Sequence, residues 1–222
     1  MRYERLRPNL YFFAFFFASI AGACTTTSPP QPSELTEIEA GKRTLLLLRV
    51  VASAEGKIIE PFSNLVATDN IGVAIGTFET GGEIRNLAAL RFLSEPSRAQ
   101  GWAFMSVPTG HLYLAFLPPR RSSVWAYQAT FKYAKKWHVE VPRGRKLIYA
   151  GTLVVDGDSG FLIFGGSYLS YIRHMEIRDE REVAKALVEQ HLPRLVPIEA
   201  VLMQRHQGPR ILTGPAKSPE KP

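Results

Sequence analysis

A mainly β chain, folded as an antiparallel β-sandwich-like domain with a C-terminal α-helix, is what this sequence predicts. Short runs of Leu, Val, Ile, Phe and Tyr recur along its middle. Pro-Gly and Asp-Gly turn signals recur between those runs, which points to a sandwich or open barrel rather than a parallel α/β sheet. A single stretch of helical periodicity stands near the end, over Asp179 to Leu192. With 222 residues, 45% of them hydrophobic and 21% charged, the chain is long and apolar enough to bury a core and is not of the disordered class.

Taken in order, Thr44 to Ser53, with four consecutive leucines, reads as a buried strand, and Ile71 to Phe78 as a second with interspersed glycines. Trp102 to Val107 and His111 to Leu117 flank Val107-Pro108-Thr109-Gly110. Trp137 to Val141 and Lys146 to Val155 flank Val141-Pro142-Arg143-Gly144. Proline sets φ near −65° and a glycine two residues on accepts a left-handed backbone, so each pair of runs is expected to close as a hairpin. Asp156-Gly157-Asp158-Ser159-Gly160 predicts a third hairpin, between Leu153–Val155 and Phe161–Phe164. Over Asp179 to Leu192, the residues Val183, Ala184, Leu187, Val188 and His191 share one helical stripe. Asp179, Glu180 and Glu182 suit its start, and Pro193 ends it. Gly82 to Leu93 and Ile198 to Arg205 fit helix and strand equally.

The two ends read differently from the middle. Arg2, Arg5 and Arg7 against Glu4 give a basic start, and Leu10 to Ala23 follow as fourteen uncharged, mostly apolar residues. As a helix they would span roughly 21 Å, short of the ~30 Å hydrocarbon core of a bilayer. A basic start, a short apolar run and small residues at its end have the form of a secretory signal peptide. Residues 24–39, rich in Ser, Thr and Pro, are expected to be a flexible tether; residues 40–206 the folded domain; and residues 207–222, with four prolines, a disordered tail.

Cys24 is the only cysteine, so an intramolecular disulfide and any multi-cysteine metal site are excluded. Ile20-Ala21-Gly22-Ala23-Cys24 resembles the lipobox of bacterial lipoproteins, with Ala21 standing where a leucine is commoner. That resemblance implies cleavage before Cys24, acylation of its sulfur and new N-terminus, and a mature chain of 199 residues with net charge +5. At about 0.8 kcal/mol per buried methylene, several acyl chains make a stable anchor. Thr25, in place of the aspartate that retains such proteins in the inner membrane, implies the outer membrane. The alternative for Cys24 is an ordinary cleavage site beside a spectator thiol. Pro108-x-Gly110-x-x-Tyr113-x-x-Phe116 is also similar to a hairpin of transthyretin-like and carboxypeptidase-regulatory-like sandwiches, which recur in surface lipoproteins.

No catalytic residue and no cofactor is predicted. Gly157-Asp158-Ser159-Gly160 matches the nucleophile segment of chymotrypsin-like proteases, but no histidine stands in that family's context and Phe161 replaces its next glycine. Asp156 and Asp158 supply two carboxylates where calcium takes six to eight oxygens. His111, His138, His174, His191 and His206 show no metal-ligand spacing, so no metal is expected either. Charge is concentrated instead. Arg120, Arg121, Lys132, Lys135, Lys136, Arg143, Arg145 and Lys146, with Glu140 as the only anion, give net +7 over 27 residues, interleaved with Trp125, Tyr127, Phe131, Tyr133 and Trp137. The segment reads either as a solvated surface whose aromatics point inward or as a face for anionic lipid headgroups or an envelope protein. A nucleic-acid partner is not expected of an exported protein. The function expected is therefore a structural or binding role in the cell envelope, the alternative being an envelope hydrolase whose site assembles only in three dimensions.

Overall fold

Four adjacent leucines cannot all face one side of a strand, because successive side chains alternate between its faces. Leu45, Leu46, Leu47 and Leu48 are nevertheless all fully buried, so both faces of the strand that carries them are covered. The computed structural model describes residues 28–62, 72–78, 84–86, 90–117, 136–161 and 167–206. Within them this strand, β1 (Thr44–Ala54), lies at the centre of a six-stranded sheet.

On one side β1 pairs antiparallel with β5 (Trp102–Val107) and β2 (Lys57–Ile59). On the other it pairs with β8 (Leu147–Phe161), and this central pairing is parallel. The far edge of β8 carries β9 (Ser167–Arg178), antiparallel, and the two-residue β10 (Glu199–Ala200), parallel. The second sheet is antiparallel throughout: β11 (Gln204–Arg205), β7 (Lys136–Val141), β6 (Gly110–Leu117), β3 (Gly72–Phe78) and β4 (Ile84–Asn86), in that spatial order. The mainly β, mostly antiparallel two-sheet architecture with a C-terminal helix agrees with the sequence reading.

Between the sheets lies the larger core. Leu46, Leu48 and Val50 of β1 meet Met105 and Val107 of β5, Leu112 and Leu114 of β6, Val139 and Val141 of β7, and Leu153 and Val155 of β8. A second core covers the outer face of the six-stranded sheet. There Leu45, Leu47, Trp102, Phe104, Leu147 and Tyr149 pack under Ile38 of α1 (Pro32–Glu39) and under Ala184 and Val188 of α3 (Arg181–His191). A short helix, α2 (Glu95–Ala99), leads into β5.

Inward and outward side chains must keep their parity along β8, yet Ile148 and Ala150 face the inter-sheet core at even positions and Leu153 and Val155 at odd ones. The register explains this: Leu47 faces Tyr149 but Arg49 faces Thr152, so β8 holds one extra residue there. Such a bulge flips the face presented by everything beyond it. Gly151 takes the extra position with φ +110°, and a Cβ there would come within 2.7 Å of Ile177 Cγ2.

Several expectations are corrected. Neither Val-Pro-x-Gly turn closes a hairpin. Val107 pairs with Thr44 in the six-stranded sheet, while Gly110 pairs with Val141 in the other. Leu147 then pairs with Leu45, back in the first sheet. Both turns are corners that pass the chain between layers; their local geometry is encoded locally, but which strands they join is not. The expected third hairpin is absent as well, since Asp156 to Gly160 run inside β8 and pair with β9. Register shifts at Asp156/Gly157 and Asp158/Ser159 absorb the turn-prone residues, and Arg173 on β9 pairs with both aspartates. The supposed tether 24–39 includes α1, whose Ile38 is fully buried and whose Glu34 is ion-paired with Arg91. Pro32 fits the helix start because its missing N–H has no partner there in any case. In α3, Val183 leaves the predicted stripe and is half exposed. Gly82 to Leu93 contributes β4, and Ile198 to Arg205 contributes β10 and β11. Residues 1–23 and 207–222 lie outside the described residues.

A polar network fixes the start of α3 to the sheet. The Tyr149 hydroxyl donates to Thr152 Oγ1 at 2.7 Å, Thr152 Oγ1 donates to Glu180 Oε2 at 2.7 Å, and Arg49 Nη1 reaches the same carboxylate oxygen at 3.0 Å. The Glu180 amide returns a bond to the Tyr149 hydroxyl at 3.3 Å. Burial pushes the Tyr149 phenol above its ordinary pKa.

Replacing Gly151→Ala combines a strained left-handed backbone with a close contact and should cost about 2–4 kcal/mol in urea unfolding. Gly56→Ala, at φ +77° with open space around it, should cost only about 1 kcal/mol by the same measurement. Glu180→Ala removes the acceptor of the fully buried Thr152 hydroxyl and the partner of Arg49. A loss of about 1–3 kcal/mol in the same experiment is expected.

Candidate functional site

Among the described residues, two groupings of chemistry-bearing side chains stand out: a basic turn at one end of the sandwich, and a histidine cluster on the outer face of the five-stranded sheet.

The basic turn joins β7 to β8. Of the eight cations picked out by sequence, Lys136, Arg143, Arg145 and Lys146 are described, whereas Arg120, Arg121, Lys132 and Lys135, like Cys24, lie outside the described residues. Arg143, Arg145 and Lys146 are exposed. The fold adds two cations that the sequence reading missed. Leu45 N–H donates to Lys146 O at 2.9 Å, and Thr44 Oγ1 donates to Arg145 O at 2.8 Å. These bonds draw the α1–β1 turn, with Lys42 and Arg43, alongside the β7–β8 turn. Arg43 is held there by Ser106, through Nε to Oγ at 2.8 Å and Nη2 to the carbonyl at 2.5 Å. Anions dilute the patch. Arg145 Nε pairs with Glu199 Oε2 at 2.5 Å, Glu140 is exposed on β7, and Glu37 and Glu39 occupy the last turn of α1. The corner is a mixed-charge surface with a cationic tip at Arg143 and Lys146.

Ser159 is not placed as a nucleophile would be. Its hydroxyl donates to Glu55 Oε1 at 2.9 Å on an exposed part of β8. Asp156 accepts from Ser53 Oγ at 2.7 Å, and Arg173 Nε stands 3.3 Å from Asp158 Oδ1. Charge pairing across strands accounts for both aspartates.

The second grouping was invisible at the sequence level. Leu112 and Leu114 of β6 face the inter-sheet core, so His111 and Tyr113 face outward; on β7, Val139 and Val141 face in and His138 faces out. His111 Nδ1 and His138 Nε2 lie 2.9 Å apart, a hydrogen bond in which one ring nitrogen donates to the other. The ring planes are inclined by 26° with centroids 5.1 Å apart. Because the nitrogens are so much closer than the centroids, the rings meet edge to edge rather than face to face. Tyr113, fully buried, stands between His138 at 5.2 Å and His206 at 5.3 Å, the latter in an edge-on arrangement. His206 Nε2 is buried with no hydrogen-bond partner. His174, by contrast, is exposed on β9 beside Glu176, and His191 ends α3.

Burial, then the neighbouring His111, hold the His138 imidazole below its ordinary pKa; Glu140 acts the other way, and His206 lowers it further. Edge-to-edge imidazoles 2.9 Å apart have room for a shared proton. A metal ion needs about 2.0–2.1 Å to each nitrogen, which this in-line arrangement does not provide. Among the described residues no group of three His, Cys, Asp or Glu side chains is disposed to hold a metal ion. Nor is any described helix long and apolar enough to cross a membrane.

The signal that could have found the cluster is the adjacency of β6 and β7, which sets Tyr113 opposite His138. No family model, curated protein or solved structure matches this chain.

Proposed function

We propose that this chain is an exported protein of the bacterial cell envelope, anchored at the outer membrane through acyl chains on Cys24, with a structural or binding role. The observation that carries the reading is the only cysteine of the chain, standing behind Ala21-Gly22-Ala23 at the end of a fourteen-residue apolar run. Small residues before the cysteine admit a signal peptidase, and the thiol supplies the nucleophile for lipid attachment. Helix α1 begins at Pro32, eight residues after Cys24, a separation of at most ~28 Å even when fully extended. An acyl anchor at Cys24 would therefore hold the folded body close to a bilayer. The cationic tip at Arg143 and Lys146, extended in sequence by Arg120, Arg121, Lys132 and Lys135, is the surface proposed to meet anionic lipid headgroups or an envelope protein.

In the expressing bacterium, Cys24→Ser should leave full-length precursor and abolish incorporation of labelled fatty acid, as read by gel mobility and label. Unchanged labelling would remove the reading. The contribution of the basic surface is separable from the anchor. The chain from Thr25 onward, which keeps every described core residue, should sediment with vesicles containing anionic lipid and not with zwitterionic ones. Raising salt shortens the screening length from about 10 Å at 0.1 M to about 3 Å at 1 M and should abolish the association. With roughly 1 kcal/mol for each basic residue at such a surface, Arg143→Gln with Lys146→Gln should weaken it by about tenfold or more, with little change in thermal midpoint.

A further inference from the structure

The last described segment of the chain closes the sandwich. From β10 on the edge of β8, Val201 N–H donates to Tyr149 O at 2.9 Å and Met203 N–H to Ala150 O at 2.8 Å. The next two residues, β11, leave that sheet and pair with β7 in the other, Gln204 opposite His138 and Arg205 opposite Trp137. The strand that bridges the layers is thus secured on the five-stranded side by two residues, next to the histidine cluster. His206 follows directly and lays its ring edge-on to Tyr113, on whose ring His138 also rests.

We propose that the His111–His138 pair, together with His206, is a proton-operated latch that seats β11 on β7. While at least one imidazole of the pair is neutral, the hydrogen bond between them holds and the rings pack against Tyr113. When both carry a proton, each nitrogen at the 2.9 Å contact is a donor, the bond is lost and two like charges adjoin. Among the described residues, β11 sets two paired positions against that repulsion.

From β6 the cluster is faced by His111 and Tyr113. From β7 it is faced by His138 and Glu140. From the closing segment it is faced by Gln204, Arg205 and His206. Strand β3, which sets Gly76 opposite Tyr113, has no titratable residue. Glu140 is the only anion among these, and it is exposed. The electrostatics of His138 agree in direction. Its folded pKa lies below the ordinary value of about 6.5, so the folded chain binds fewer protons than the unfolded one. The stability this group contributes is complete above pH 6.5 and is lost as pH falls through 6.5 toward the folded pKa.

Hydrogen exchange on the full chain, purified in mild detergent, tests this with protection factors corrected for the intrinsic pH dependence of exchange. Protection of the amides across Gln204–His206 should fall severalfold, to a ceiling of about tenfold, between pH 7.5 and 5.5, while amides of β1 and α3 hold theirs. In His138→Gln, whose side chain keeps a hydrogen-bonding group but cannot ionise, the pH dependence should flatten. Equal protection at both pH values, or the same loss in His138→Gln, overturns the latch. Should that variant not fold, ring nitrogen NMR of the unsubstituted protein decides. Two separated protonation steps for His111 and His138 support the shared proton, and simultaneous ionisation of both rings near pH 6.5 refutes it.

Discussion

The parallel pairing of β1 with β8 is the constraint around which the other elements are arranged. Two neighbouring strands in the middle of a sheet, each rich in Leu, Val and Ile, expose apolar side chains above and below. Burying one face alone would leave the other to water at about 25 cal/mol for each Å² of apolar surface. The inner face is therefore covered by the five-stranded sheet, and the outer face by α1 and α3. A parallel pair also cannot be joined by a tight turn. The chain between β1 and β8 is long enough to contain β2 to β7, including the strands of the second sheet, before it returns.

Polar chemistry is then confined to places where that apolar arrangement leaves room for it. The Tyr149–Thr152–Glu180–Arg49 network occurs where the bulge at Gly151 interrupts the outward apolar row of β8. Each group in it is satisfied by another, which is the condition for polar groups at a helix–sheet junction to cost little. Arg98 shows the same principle less completely. Its Nε donates to the Phe62 carbonyl at 2.7 Å and its guanidinium lies 5.4 Å from the Phe92 ring, while Nη2 has no partner. Trp137 Nε1 and His206 Nε2 are also buried without hydrogen bonds, and both belong to the region where β11 meets β7. That junction carries more unsatisfied polarity than the network at α3.

The anchoring proposal and the histidine cluster concern different parts of the molecule. Cys24 and α1 are at the start of the chain, and α1 packs on the outer face of the six-stranded sheet. The cluster lies on the outer face of the five-stranded sheet, beyond the inter-sheet core. His111, Tyr113, His138 and His206 are not members of the outer core on which α1 packs, whereas Ile198, Ala200 and Leu202, which lead into β11, pack against it.

What the sequence by itself determined is local. Strand positions followed from apolar runs, and β5 fell on Trp102–Val107 as read. The helix near the end followed from its spacing and from Pro193, and the corner turns from Pro and Gly. These depend on backbone preference and on side-chain periodicity within a dozen residues. Tertiary structure decided which strands pair, and that reversed the meaning of the same turns: Val107 and Gly110 belong to different sheets although only two residues separate them. It also drew Asp156 to Gly160 into β8, since Arg173 and Ser53 arrive from other strands to satisfy the aspartates. It made α1 from a segment too polar to predict, because Ile38 finds Leu45, Leu47 and Phe104 beneath it. The histidine cluster lay furthest from view. His111 and His138 are separated by 27 residues, and His206 comes 68 residues later still. Only the pairing of β6 with β7, and of β7 with β11, sets them around one tyrosine, and strand pairing is a choice among distant partners that no local pattern encodes.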